Sequence, residues 1–133
     1  MVIVGVEVFG AGGPGGEQEP IRVFSIHAPR RGSYAKAVHA ILDMIAKQGG
    51  QAKLVIGGDF NLSVGVRHVS EHLKTSVADQ AIQRRLDEEF GLVHCWGAAN
   101  PDRPLAQTLR WSSDPTVSYH CDGLFVPRSW SPS

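Results

Sequence analysis

Residues 54–63 read LVIGGDFNLS, an apolar run that ends by setting a carboxylate, Asp59, two residues before an amide, Asn61. Successive side chains on a strand point to opposite faces, so the two would share a side if the chain stays extended. Gly57 and Gly58 would leave open space beside them, which a backbone or a ligand can use. A carboxylate beside an amide can position a water, bind a cation or hold a phosphate oxygen. The plainer reading is a turn, because Asp and Asn side chains both bond their own backbone.

Two other apolar stretches carry polar groups in comparable places. In Ile26-His27-Ala28-Pro29 a histidine closes a strand just before a proline-fixed turn, where α/β sheets hold ligands. In Tyr119-His120-Cys121-Asp122-Gly123-Leu124-Phe125-Val126-Pro127 a carboxylate interrupts an apolar run. A buried, unpaired Asp122 would be costly. Three strands that each place a polar group are harder to explain as separate accidents than one.

Two louder patterns carry less. Gly10-Ala11-Gly12-Gly13-Pro14-Gly15 fits a dinucleotide-binding glycine pattern and follows a strand. No helix begins there to hold a pyrophosphate, Pro14 interrupts, and Glu17 and Glu19 add negative charge, so a mobile hairpin loop is the better reading. His68-Val69-Ser70-Glu71-His72 fits the H-x-x-E-H spacing of zinc peptidases, with His68 and His72 on one helical face. Nothing marks a third ligand and apolar periodicity is weak, so a solvated polar loop or short helix is the better reading and no zinc is expected there.

The elements that must position these residues follow from periodicity. Residues 2–9 and 21–27 read as strands joined by a loop over 10–20, forming an antiparallel hairpin. Ser33 caps a helix over 34–48, with Tyr34, Val38, Ile41, Leu42 and Ile45 on its inner face and Gly49-Gly50 as its stop. A strand over 53–58 follows. Residues 62–75 are irregular or partly helical. Ser76 and Asp79 cap a second helix to Phe90, with Ala78, Ile82 and Leu86 as its buried stripe. That helix is amphipathic and mixes Arg84 and Arg85 with Asp87 and Glu88 on its polar face. A strand over 92–96, a Pro-rich loop and extended segments near 107–111 and 118–126 complete a layered α/β pattern.

The bulk numbers suit this reading. The chain has 133 residues, enough for one domain over 1–133. Its 13 basic and 13 acidic residues cancel, which argues against a protein that coats nucleic acid through charge alone. Arg30-Arg31 and Arg84-Arg85 are the candidates for a local basic groove, against a simpler role as solvated surface. The two cysteines, Cys95 and Cys121, have no metal-type spacing, so reduced thiols in a cytoplasmic setting are expected. No run approaches transmembrane length and no secretory signal is visible, so no membrane association is expected.

The ordered set Ser25-Ile26-His27-Ala28-Pro29, Gly57-Gly58-Asp59-Phe60-Asn61 and Tyr119-His120-Cys121-Asp122-Gly123-Leu124-Phe125-Val126-Pro127 resembles the endonuclease/exonuclease/phosphatase superfamily, the group of deoxyribonuclease I and exonuclease III. The likeness runs from about Val2 to Pro127, and Gly-Gly-Asp-Phe-Asn is its most specific piece. It implies a partial deoxyribonuclease I-like β-sandwich flanked by helices. It implies a divalent-metal-dependent phosphodiesterase or nuclease, with Mg²⁺ or Mn²⁺ held in part by Asp59 and Asn61. By position, Asp59 would orient or deprotonate the attacking water and Asn61 would hold a phosphate oxygen. His27 would contact the scissile phosphate, and Asp122 would orient a terminal catalytic histidine. Thr108, in Gln107-Thr108-Leu109-Arg110-Trp111, resembles a supporting threonine. The substrate would be a phosphodiester, with nucleic acid, lipid and sugar phosphate all open.

The chain also departs from that pattern. The early metal-binding glutamate and asparagine would lie upstream of Met1, and the terminal Ser-Asp-His would lie beyond Ser133. Glu7 lies on the first strand, but its setting does not match the metal-binding glutamate. The active-site set is therefore incomplete, and two readings stand: a reduced phosphodiesterase, and a non-catalytic binding or structural remnant of the same fold. A zinc peptidase built on His68 and His72 is the third. The apolar strands 2–9, 21–26, 53–56 and 119–126 would leave a face and an edge to cover. A homodimer with an apolar interface above about 1,000 Å² is therefore expected, in which a second copy could bring carboxylates near Asp59.

Overall fold

The computed structural model describes residues 2–8, 19–29, 32–62, 76–103, 109–110, 118–119 and 121–131. The glycine-rich segment 10–15, His68, His72, His120, Thr108, Arg30 and Arg31 lie outside the described residues.

The described residues form seven strands and three α-helices: β1 (Val2–Val8), β2 (Ile21–His27), α1 (Tyr34–Gly49), β3 (Lys53–Asp59), α2 (Val77–Glu88), β4 (Leu92–His94), α3 (Cys95–Ala99), β5 (Leu109–Arg110), β6 (Ser118–Tyr119) and β7 (Asp122–Pro127). Five strands form one mixed sheet in the order β1-β2-β3-β7-β4, and β5 pairs with β6 separately. β1 and β2 form the expected antiparallel hairpin. β2 and β3 run parallel, joined through α1, whereas β7 is antiparallel to both β3 and β4.

Both long helices start where their sequences signal. The Ser33 hydroxyl accepts from the Lys36 amide at 3.4 Å, and the Ser76 hydroxyl accepts from the Asp79 amide at 3.0 Å. Asp79 also places a carboxylate in the first turn of α2, where the helix dipole favours it. Gly50 ends α1 with a φ of 55°, a value that suits glycine. α2 stops at Glu88 rather than Phe90.

Both helices lie on one face of the sheet. Val38, Ile41, Leu42 and Ile45 of α1 and Ile82 and Leu86 of α2 pack with Phe24, Ile26, Ile56 and Phe125 of the strands. Burying each such side chain is worth about 1.5–3 kcal/mol. Phe60, just past β3, is fully buried and meets Phe125 edge-on, with ring centroids 5.5 Å apart. Ala78, expected in the buried stripe, is exposed; the stripe of α2 begins at Ile82, one turn further in.

Arg85 corrects a second expectation. It is neither part of a basic groove nor solvated surface, its side chain being only 17% exposed. Its guanidinium ties the two helices together, donating to Glu89 at 2.5 Å and Asp43 at 2.5 Å and to the His39 carbonyl at 3.1 Å. These partners, Glu89 first, raise its pKa against the opposing effect of burial.

The opposite face of the sheet is free of the two long helices, α1 and α2. Val6, Val23 and Val55 form one row on it, and Ser25, Gly57 and Leu124 the next. Val6 is 55% exposed and Leu124 47%.

Candidate active site

Three neighbouring strands end in one row. His27 of β2 is opposite Asp59 of β3, and Asp59 is opposite Asp122 of β7. Directly opposed residues share a face, and alternation puts this row on the face opposite α1 and α2, two residues beyond Ser25, Gly57 and Leu124. Backbone bonds lock the row in register: the Ala28 amide donates to the Asp59 carbonyl and the Phe60 amide to the Cys121 carbonyl, both at 2.9 Å.

Asp59 is held by its neighbours yet open to solvent. One carboxylate oxygen accepts from the Asn61 amide at 2.8 Å. The other lies 4.0 Å from the His27 Nε2, with the side chains 39% and 64% exposed respectively. That gap is too long for a direct hydrogen bond, and leaves both groups able to reach a single shared oxygen atom.

Asn61 reaches the site by a different route from the one expected. The chain does not stay extended past Asp59, because Asn61 adopts a φ of 52° in the left-handed region, where Asn is tolerated. Its backbone closes a turn on Asp59, and its side-chain amide donates to the Ala28 carbonyl at 2.7 Å. Thus the turn and the cluster coexist: the contact that makes Asp59-Phe60-Asn61 a turn also fixes the carboxylate, and the amide pins β3 to the end of β2.

The glycines before Asp59 serve packing rather than open space. A Cβ at Gly58 would lie 2.0 Å from the Ile26 carbonyl oxygen, and its φ of 135° suits glycine alone. A Cβ at Gly57 would meet the Leu124 side chain at 3.0 Å. Asp122 is exposed rather than buried, so the desolvation cost expected of it does not arise. Glu7 points elsewhere: it pairs with Arg22 at 2.6 Å, five residues along β2 from His27, about 16 Å at strand rise.

One element at this end was not foreseen. The expected strand over 92–96 ends at His94, and Cys95–Ala99 form the short helix α3. The His94 ring caps it, Nδ1 accepting from the Gly97 amide at 3.2 Å. The only local hint was a ring able to act as an N-cap, and Cys-Trp reads as strand by propensity. β4 runs parallel to β3, so α3 extends the row of strand ends past Asp122. A cavity of about 580 Å³ lies between α3 and the two carboxylates, lined by Asp59, Asp122, Trp96, Ala99 and Leu124 among others.

No protein-family model matches the chain, and no curated protein matches it by sequence. Solved structures do. A variant of the 3' phosphatase NExo from Neisseria, bound to a product DNA hairpin, matches with a TM-score of 0.62 at 16% identity, over 94% of this chain and 59% of that one. The 3'-5' exonuclease NExo from Neisseria meningitidis gives 0.61 at 16% identity, with the same 94% and 59% coverage. The chain therefore shares the α/β fold of these Neisseria structures. The human Nocturnin catalytic domain, with a bound sulfate anion, matches this fold too, at 0.52 and 14% identity over 95% of this chain and 41% of that one. The chain thus spans about three-fifths of the Neisseria protein and two-fifths of the Nocturnin domain.

The divalent metal that the sequence resemblance implies would need hard oxygen donors at this end of the sheet. Among the described residues no group of three or more His, Cys, Asp or Glu side chains is placed to hold an ion. Asp59, Asp122 and the Asn61 amide oxygen are hard donors. Mg²⁺ often takes only one or two protein carboxylates and fills its shell with water and phosphate oxygens. The donor chemistry therefore fits a hard divalent cation.

Proposed function

We propose that residues 1–133 act as one domain that hydrolyses phosphodiesters, with nucleic acid as the substrate class. The observation that carries this reading is the row His27–Asp59–Asp122 at one end of the sheet, with Asn61 folded against it. The product DNA hairpin bound to the Neisseria 3' phosphatase lends the substrate class its support.

In this reading Asp59 orients the attacking water and takes its proton through the carboxylate oxygen nearer His27. His27 donates to a non-bridging oxygen of the phosphate, and Asn61 supports the same group through its amide. Water oxygen bonds to phosphorus, the bond to the leaving oxygen breaks, that oxygen takes a proton from solvent to leave as an alcohol, and Asp59 returns its own proton to solvent. Asp59, Asn61 and Asp122 would hold the cation, Mg²⁺ or Mn²⁺, which supplies charge neutralisation for the transition state. Thr108 belongs to the same proposal as a supporting residue on sequence resemblance alone.

The face opposite α1 and α2, with Val6 and Leu124 exposed, supports closure by a second copy as a homodimer. Neither Cys95 nor Cys121 forms a disulfide, which suits a cytoplasmic setting. No helix among the described residues is long and apolar enough to cross a membrane.

The test is hydrolysis of plasmid DNA, RNA and bis(p-nitrophenyl) phosphate with Mg²⁺ or Mn²⁺. Activity should vanish with chelator and fall about 10²–10⁴-fold in Asp59→Ala, the usual worth of a positioned base. Folded protein that cleaves none of them would favour the alternative, a non-catalytic binding remnant.

A further inference from the structure

The cavity beside the strand ends extends the site in one direction only. His27, Asp59 and Asp122 form a line across β2, β3 and β7, and α3 continues that line. The cavity is open to solvent, shares Asp59 and Asp122 with the phosphate site, and is bordered by Trp96 and Ala99 of α3. At about 580 Å³ it falls in the ordinary range for small-molecule sites, about 300–1,000 Å³.

Its lining decides what it would accept. Among the described residues no lysine or arginine lines it, and two carboxylates do, a lining that disfavours a second phosphate there. The rest of the lining is mainly apolar and includes Leu124 and half-buried Trp96. A neutral, flat ring attached to the bound phosphate matches that surface, because an aromatic side chain stacks any base through its π-face. The carboxylate edge can accept from exocyclic amino groups of such a ring.

We infer that this cavity is a subsite for the nucleobase of the nucleotide whose phosphate sits at Asp59, with Trp96 as the stacking ring. The inference rests on the phosphoester reading of the site and adds its specificity: substrates with a base next to the reacting phosphate are preferred over those with sugar alone.

Equilibrium binding of AMP and of ribose 5-phosphate, each with Mg²⁺, tests this without turnover. Wild type should bind AMP about tenfold more tightly than ribose 5-phosphate, on the scale of one base-stacking contact. Trp96→Leu should erase the difference and Trp96→Phe should keep most of it. Ala99 is exposed on the cavity wall, so Ala99→Leu should fill the space and also erase the difference without touching the core. Equal binding of the two ligands by wild type, or an AMP preference that survives both Trp96→Leu and Ala99→Leu, would overturn the subsite. The two readings fail separately. A base preference without hydrolysis of any phosphodiester supports the subsite and retires the hydrolase, while hydrolysis without a base preference does the reverse.

Discussion

The two faces of the sheet are built from similar residues and have opposite fates. On the helix side, Phe24, Ile26, Ile56 and Phe125 are covered by α1 and α2, and Ile41, Leu42, Ile45 and Ile82 are wholly buried. On the other side Val6, Val8 and Leu124 remain exposed, and the row His27–Asp59–Asp122 ends that same face. The division separates two jobs. Stability resides where helices exclude water, and the chemistry-bearing groups stand where solvent and ligand can reach them. The faces meet at Gly58, where the absence of a side chain lets β3 close onto the Ile26 carbonyl just before Asp59 leaves the strand.

Substitutions can break this division in order of size. Gly58→Ala should do most damage, since its Cβ would overlap a backbone oxygen; a loss of about 4 kcal/mol or more in urea unfolding is expected. A mild effect there would mean that the junction is looser than described. Ile41→Ala, on the helix side, should cost about 2–5 kcal/mol by the same measurement. Leu124→Ala, on the open face, should stay within about 0.5 kcal/mol for the monomer. If a second copy covers the open face, light scattering should show a dimer in wild type that Leu124→Asp dissociates. A well-behaved monomer at micromolar concentration removes the homodimer from the account.

The Arg85 clamp gives the smaller effects. Arg85→Ala should cost about 1 kcal/mol, because its guanidinium is largely buried while its carboxylate partners are partly solvated. Hydrogen bonding to Arg85 holds the Glu89 carboxyl below its ordinary value of 4.5. A depressed folded-state value adds stability that is present above the unfolded-state value and is lost as pH falls through the folded one. The stability gap between wild type and Glu89→Gln should therefore shrink as the pH is lowered from neutral to about pH 3. A gap that widens on acidification would contradict the pairing.

Much of the covered face was legible in the sequence because it depends on local signals. Ser33 and Ser76 cap helices as their side chains dictate, the spacing of Val38, Ile41, Leu42 and Ile45 gives the inner face of α1, and β1 and β2 pair as read. The site was legible as residue types and less so as geometry. His27, Asp59 and Asp122 share a row that pairing register alone could set, and no single strand contains that information. Asn61 was expected to share a side with Asp59 along a strand, whereas a left-handed turn brings it there. Gly58 reads as open space in the sequence, which shows a missing side chain but not the Ile26 carbonyl that needs its absence. α3 is too short for periodicity to register, and Arg85 looks like surface until Asp43, distant in sequence, comes beside it.

The central claim is that the strand-end row is a divalent-cation-dependent phosphate site. Titration of Mn²⁺ into ¹⁵N-labelled protein tests it most directly, through selective broadening of nearby amide signals. The account predicts broadening of Ala28, Asp59, Asn61 and Asp122 at substoichiometric Mn²⁺, with the α1 signals of Ile41 and Ile45 unaffected. Asp59→Asn should abolish it. Broadening centred elsewhere, or a pattern at the row unchanged by Asp59→Asn, would contradict the assignment.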